Sequence, residues 1–355
     1  MKKNRVSTLK VAATYIGTIV GAGFATGQEV LQFFSRFGIW GFPGLLITTG
    51  MFMIFGYIIM SLGKELNARS HLEIIIYSGG RVVGKMIDYI ITFFLFGALT
   101  AMIAGTGALF SQEFNLPGFL GNIIMAALTA GTVLTGIKGV INSISFVVPF
   151  LLVSVVGVSI FSIINTPPDI NAVITGVGEN ELISNWLLAA TLYVSYNTII
   201  SIAVLGPLGV QAYNERTIRD GALLGGLGLG IGSMMIYLAL SGNIREIVQL
   251  EVPMIYIAGL LSSLVQTVYA IVLTAEVYTT AVGSLYGFVS RIVDTEKAPA
   301  KGKILIIGST IAALLASQLG FSNLVKYLYP LVGYGGIVLL ISLIYTSFSR
   351  KELFK

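Results

Sequence analysis

Two carboxylates stand where a carboxylate is expensive. Glu29 lies inside the apolar run from Leu9 to Phe37, directly after Gly21-Ala22-Gly23-Phe24-Ala25-Thr26-Gly27-Gln28, and Glu276 lies near the middle of a later run, heading Glu276-Val277-Tyr278-Thr279-Thr280. Most of the other acids fall in loops or at helix ends. An ionisable group at membrane depth marks, by default, a site that binds or moves something. Gly17, Gly21, Gly23 and Gly27 surround Glu29, with Thr18, Thr26 and Gln28 among them. Each glycine gives up about 1 kcal/mol of helix stability relative to alanine, so the spacing predicts a broken helix. Broken backbone at mid-membrane is tolerated only where it is buried in protein or lines a cavity. A spanning helix that breaks beside polar groups points to a transporter binding site. A second polar cluster, Leu192-Tyr193-Val194-Ser195-Tyr196-Asn197-Thr198, sits mid-way along another run. It holds no glycine or proline, so its polarity alone carries the inference of a break, and Pro207 and Gly209 read as the end of that helix.

Other chemistries are removed by what the chain lacks. It has no cysteine and a single histidine, His71. Disulfides, thiolate metal sites, cysteine nucleophiles, histidine metal clusters and Ser-His-Asp triads are therefore excluded. An enzyme is not expected, since Glu29 and Glu276 have no catalytic partner at one interface. A channel would need a continuous polar stripe or a selectivity loop, and neither is present. No P-loop is present, so a transporter would draw on an ion gradient. No cofactor is implied beyond a coupling ion.

The elements that must position these groups follow from composition. Of 355 residues, 55% are hydrophobic and only 10% charged, against about 25% charged in a soluble domain. The chain reads as one polytopic membrane domain over 1–355. Stretches of about 20 apolar residues mark crossings. Ten are read at about 8–37, 41–63, 86–112, 119–137, 140–164, 183–206, 218–241, 261–290, 303–318 and 323–348. Two amphipathic pieces lie between them, at about 70–80 and 243–258. The basic N-terminus is followed by a run too long, and too poor in small cleavage-site residues, for a signal peptide.

Orientation follows from lysine and arginine. With the N-terminus inside, all but three (Arg36, Arg245 and Lys326) of the 21 basic residues fall on the cytoplasmic side. Both termini are then cytoplasmic, in a bacterial inner membrane. The net charge of +5 is not a nucleic-acid signal, because the basic residues cluster at helix ends. Ala12-Ala13-Thr14 recurs as Ala189-Ala190-Thr191, half the chain further on. Spans one to three match six to eight at nearly the same offset. Five spans followed by five must insert with opposite orientations, which makes an inverted repeat: about 8–164 and about 183–348.

The stretch Gly17-Thr18-Ile19-Val20-Gly21-Ala22-Gly23-Phe24-Ala25-Thr26-Gly27-Gln28-Glu29 resembles the APC (amino acid–polyamine–organocation) superfamily, whose members have the LeuT fold. More narrowly, the chain resembles the YkvI family of bacterial membrane proteins, grouped with amino acid permeases. The resemblance implies an all-α, LeuT-like membrane protein with helices one and six discontinuous. It also implies a substrate site. Backbone amides from Gly21, Ala22, Gly23 and Phe24 would bind a substrate carboxylate at a positive helix end. Carbonyls from Tyr193 to Ser195 would accept from an amine. Phe24, Tyr193 and Tyr196 would form aromatic walls, with Ser195 and Asn197 beside them. A sodium site between helices one and eight is implied at the Gly17 and Val20 carbonyls with Glu276, Thr279 and Thr280, which share a face at i, i+3 and i+4. Glu276 departs from that pattern, since a small residue is usual there. It would strengthen cation binding or carry a proton.

Each position has a plainer reading beside it. Gly21 and Gly23, like Gly221, Gly225, Gly226, Gly228, Gly230 and Gly232, would serve close helix packing. Glu29 would pair with Lys326 as an outer gate, carry a proton, or bond neighbouring backbone. Glu276 would be a carboxyl hydrogen-bonded across the bundle, and Thr279 and Thr280 would bond back to carbonyls. Tyr193 and Tyr196 would be packing. Thr100, Met102 and Thr106 are candidates for pocket residues of the third span. His71 reads as a solvated surface residue, and Trp40 and Trp186 as interfacial anchors. The reading is a cation-coupled secondary transporter of a small zwitterion, an amino acid or related amine, working by alternating access, with sodium placed ahead of protons. The other reading is a transporter-like sensor that binds such a ligand without significant flux. The partners implied are a small molecule and the lipid bilayer.

Overall fold

The computed structural model describes residues 6–135, 148–170, 180–295 and 298–349. Lys138, Lys297 and the start of the expected fifth span, 140–147, lie outside the described residues. Among those described, every regular element is a helix. The first apolar run is three pieces: α1 (Thr8–Ile19), α2 (Ala22–Ala25) and α3 (Gln28–Phe33), followed by a 3-10 segment (Ser35–Trp40) and α4 (Gly41–Glu65). Next come α5 (His71–Phe114), α6 (Gly118–Leu134), α7 (Val148–Asn165), α8 (Trp186–Gln211) and α9 (Glu215–Ser241). The remainder is α10 (Ile244–Ile247), α11 (Pro253–Leu261), α12 (Ser263–Ile292), α13 (Pro299–Ala316), α14 (Phe321–Asn323), a π segment (Leu324–Leu328) and α15 (Tyr329–Ser349). Among the described residues seven segments are long and apolar enough to cross a membrane, built on α4, α5, α8, α9, α12, α13 and α15.

Helix starts follow local chemistry. Ser70 and Glu73 form a capping box at α5, Asn185 caps α8, Asn214 caps α9, and prolines open α11 and α13. Side-chain oxygens there satisfy amides that have no intrahelical partner. The amphipathic piece at 70–80 and the third span are one helix bent at Gly80, whose φ is +73. His71 is buried rather than solvated. Its Nε2 lies 3.0 Å from Asp88 Oδ1 and 2.9 Å from an Arg291 nitrogen, and Arg291 also donates to Asp88. The three side chains pin the start of α5 to the end of α12. Helical periodicity did not find this pairing because the partners are 17 and 220 residues away.

Two packing groups emerge. In one, α4 packs on α8 and on α9, and α1 packs on α9 and α8; in the other, α5, α6, α12 and α13 pack together. α15 lies against α8 and α5, joining the groups. The glycines of α9 serve close packing. A Cβ on Gly221, Gly225 or Gly228 would meet Val11, Tyr15 or Ile16 of α1, and one on Gly226 or Gly230 would meet Met53 or Thr49 of α4.

The sixth span is not discontinuous. α8 runs unbroken through the polar cluster and through Pro207 and Gly209 to Gln211. Within the cluster Asn197 Nδ2 and Thr198 Oγ1 bond back to the Tyr193 and Val194 carbonyls, at 2.9 and 2.7 Å, so the polarity is absorbed without opening the helix. The glycines near Pro207 serve an approach of α4: a Cβ on Gly209 would lie 1.9 Å from the Met60 carbonyl oxygen, and one on Gly63 would lie 2.2 Å from the Gly206 oxygen. Backbone cannot yield as a side-chain tip does. Gly209→Val is therefore expected to destabilise by about 3 kcal/mol or more, read as loss of monodisperse protein in detergent. Gly308→Val, with nothing within 4 Å of its Cβ, is expected to behave as wild type.

Candidate functional site

The break in the first run builds the site. α1 ends with the Val20 amide bonded to Ile16 O at 2.8 Å. Val20 and Gly21 are extended, with φ, ψ of −71, 102 and −122, −171, and the ladder resumes only at Ala25 N to Gly21 O. Such a break frees carbonyls before it and amides after it: those of Gly17 to Val20, and those of Gly21 to Phe24. A second interruption follows at Gly27, where φ is +80, a conformation glycine adopts without a steric penalty.

A cavity of about 180 Å³ opens at the first break. Its walls are residues 17–23, Glu29, Phe94, Leu95, Ala98 and Met102 of α5, Tyr196, Asn197 and Ile200 of α8, Glu276, Thr279, Thr280 and Ser284 of α12, and Tyr329. Five distant stretches of sequence thus meet around both mid-span carboxylates. Glu29 is 6% exposed and Glu276 4%.

Glu29 folds back over the break. Its Oε1 lies 2.0 Å from where a Cβ on Gly23 would stand. Its Oε2 accepts the Tyr196 hydroxyl at 2.5 Å, and the Tyr193 hydroxyl lies nearby. No ion pair joins Glu29 to Lys326 among the described residues. Lys326 sits in the π segment with its ammonium 5.4 Å from the Tyr327 ring centre, and Glu29 instead turns inward to the tyrosine. The expected outer-gate pair is therefore absent from this structure.

Glu276 has a different setting. Thr280 Oγ1 lies 3.5 Å from its Oε1, while its Oε2 is buried without a hydrogen bond. Thr279 Oγ1 donates to the Glu276 carbonyl at 3.0 Å, leaving its lone pairs for another ligand. Thr280 faces the break, its Oγ1 3.8 Å from the Cβ position of Gly21. An unpaired carboxylate oxygen, two hydroxyls and freed helix-one carbonyls form a hard-oxygen donor set that fits sodium.

Several expected site residues point elsewhere. Phe24 is buried against Gly232 of α9. Tyr193 packs its ring against Phe33, Phe34 and Phe52. Ser195 donates to the Gly333 carbonyl and so serves the contact of α8 with α15. The Tyr193 carbonyl, expected to receive an amine, already accepts from Asn197. All three residues lie outside the cavity wall; for Tyr193 and Ser195 the reason is that an unbroken α8 presents only one face to it. On α5, Met102 lines the cavity, but Thr100 and Thr106 bond back to the Phe96 and Met102 carbonyls. Phe94, Ala98 and Tyr329 were missed. The first two lie eight and four residues before Met102, on its own helical face, and that periodicity was the available signal.

The side assigned to the outside by charge is latched. Met254 N donates to Thr26 O at 3.0 Å, and Tyr269 Oη to Ala25 O at 2.6 Å. Gln28 bonds Ser322, and the Glu251 carboxyl lies beside the Phe321 and Ser322 amides. Burial raises the Glu251 carboxyl above its ordinary range, against the opposing pull of those two amides. A raised carboxyl makes stability fall as pH rises from the unfolded value of about 4.5 through the folded one. Glu251→Gln keeps an acceptor for both amides and removes the charge. It is expected to raise the melting temperature at pH 8 while leaving it unchanged at pH 4.5, read by thermal unfolding.

No protein-family model matches the chain. The chain is 32% identical over 358 residues to the membrane protein YkvI of Bacillus subtilis (strain 168), covering 99% of each. It is 26% identical over 329 residues to the protein YyaD of the same organism, covering 93% of this chain and 94% of YyaD. Among solved structures it is similar to the inward-facing conformation of Mhp1, with a TM-score of 0.66 at 13% identity over 99% of this chain and 80% of that one. It is also similar to MhsT in complex with L-phenylalanine, with a TM-score of 0.62 at 14% identity over 96% and 90% of the two chains. Those two likenesses establish the LeuT fold; the likeness to YkvI runs the length of both sequences, and the chain belongs to the YkvI family of membrane proteins.

Proposed function

We propose that the protein is a cation-coupled secondary transporter of a small zwitterion or amine. The observation that carries this reading is the cavity at the α1–α2 break, where Glu29, Glu276, Tyr196 and freed helix ends converge between the two packing groups. The seven long segments, the broken first run and the shorter apolar helices α6 and α7 would together make the ten spans, in two inverted repeats of five. The termini lie in the cytoplasm of a bacterial cell. In alternating access, α1–α3 and α8 would rock against the scaffold of α5 and α12.

The ligand would lie between Glu29, Tyr196, Asn197 and the aromatic rings. The coupling ion would lie with Glu276, Thr279, Thr280 and the Gly17 and Val20 carbonyls. Sodium fits those oxygens, and a proton on Glu276 is the competing assignment. At about 180 Å³, the cavity is below the roughly 300–1,000 Å³ of drug-sized sites, which favours a ligand of few heavy atoms.

The test is thermal stabilisation of the purified protein by a panel of amino acids and amines, each in sodium and in choline at two pH values, followed by flux into proteoliposomes. Stabilisation that needs sodium, with sodium-driven uptake, supports the reading. Stabilisation that ignores sodium and follows pH moves coupling to protons. Binding without flux makes the protein a sensor.

A further inference from the structure

The walls of the cavity are one-sided in charge. They carry two carboxylates, Glu29 and Glu276, with no lysine, arginine or histidine. A zwitterion needs a partner for its own carboxylate; among the described residues the walls offer it no cationic side chain, and the strongest donors left are the amides freed at the start of α2. The Glu29 carboxylate stands beside that place. Glu29 Oε1 stands 2.0 Å from the Cβ position of Gly23, and the Tyr196 hydroxyl holds Oε2 at 2.5 Å. A ligand carboxylate brought to the same amides would face a like charge in a low-dielectric pocket, which is strongly unfavourable.

Aromatic rings stand in the same wall. Phe94, Tyr196 and Tyr329 line the cavity beside Glu29 and touch one another, with ring centres 5.1 Å apart for Tyr196 and Tyr329, 5.4 Å for Phe94 and Tyr329, and 6.1 Å for Phe94 and Tyr196. Ring faces attract a cation, more strongly where water is excluded. A carboxylate set among three rings is a receptor for an ammonium group carrying an apolar body.

We propose that the ligand is a small organic amine with no carboxylate of its own, its ammonium held by Glu29 within the Phe94–Tyr196–Tyr329 cluster. This rests on the transporter reading and narrows its substrate class. In effect Glu29 is the carboxylate that an amino acid would otherwise bring.

The experiment compares matched pairs on the full-length protein in detergent: 3-methylbutylamine against leucine, and phenethylamine against phenylalanine, by calorimetry and thermal shift. The amines are expected to bind at least about tenfold more tightly than their amino acids. Glu29→Gln is expected to lose that preference while the ligand-free melting temperature stays within a few degrees, which a purely structural carboxylate would not do. Should Glu29→Gln fail to fold, Phe94→Leu serves instead, weakening the amines several-fold and leaving the amino acids unchanged. Amino acids binding as well as or better than their amines would overturn the amine assignment and leave the transporter reading intact. No binding in either series would overturn both.

Discussion

Gly23→Ala is expected to weaken ligand binding about a hundredfold in a protein that still folds. The added methyl would stand 2.0 Å from Glu29 Oε1, 2.9 Å from its Cδ and 3.1 Å from its Cγ. Those atoms are the far end of a flexible side chain, so the carboxylate moves and the backbone does not. Gly23 lies inside α2 with no positive φ, and alanine there is a better helix former by about 1 kcal/mol. The melting temperature should therefore hold or rise. Affinity should fall by about a hundredfold, roughly 2.7 kcal/mol, because the carboxylate loses both its place at the break and its bond to Tyr196. The substitution moves a charge without removing it, which Glu29→Gln cannot do. A double-mutant cycle checks the cause: in a Glu29→Ala background, Gly23→Ala should change stability only by its helix propensity. Wild-type affinity in Gly23→Ala would mean that the position of the Glu29 carboxylate does not matter for binding.

Glu276→Gln should uncouple transport. The amide keeps the shape of the carboxyl and an acceptor for Thr280, but removes the charge from an oxygen that is buried without a partner. Gradient-driven uptake is expected to fall by at least about a hundredfold, on the scale of a charged group lost from a buried site. Ligand exchange across a membrane without a gradient should persist within a few-fold, because Glu29 and the aromatic rings are untouched. Thr280→Val is the companion, expected to weaken sodium about tenfold and to leave a proton-coupled cycle unaffected. Uptake by Glu276→Gln that still rises with sodium would remove Glu276 from the coupling site.

Much of this architecture was readable before any coordinates. Hydropathy located the apolar segments, because in a bilayer each span must satisfy its own backbone and therefore appears as a continuous run. The glycines around Glu29 announced the α1–α2 break for a local reason: weak helix propensity and nearby polar groups act within a few residues. The same reasoning failed for the sixth span. Its serine, asparagine and threonine side chains found partners one turn back or on α15, and polarity without glycine does not break a helix. Pro207 and Gly209 looked like a terminus, yet the helix continues past both. The space at Gly209 is claimed by the backbone of α4, a partner that local sequence does not reveal.

By itself, then, the sequence determined the membrane class, the first-run break, the two costly carboxylates and the pairing of Glu276 with Thr279 and Thr280 on one face. All are consequences of composition, or of periodicity over a turn or two. The tertiary structure alone decided which way each side chain turned. It sent Glu29 to Tyr196 rather than Lys326, removed Phe24, Tyr193 and Ser195 from the cavity, and brought in Phe94 and Tyr329. The physical reason is that facing is set by rotation and approach of helices far apart in the chain. A change of one residue in packing register turns a side chain by about 100°, and no local pattern records it.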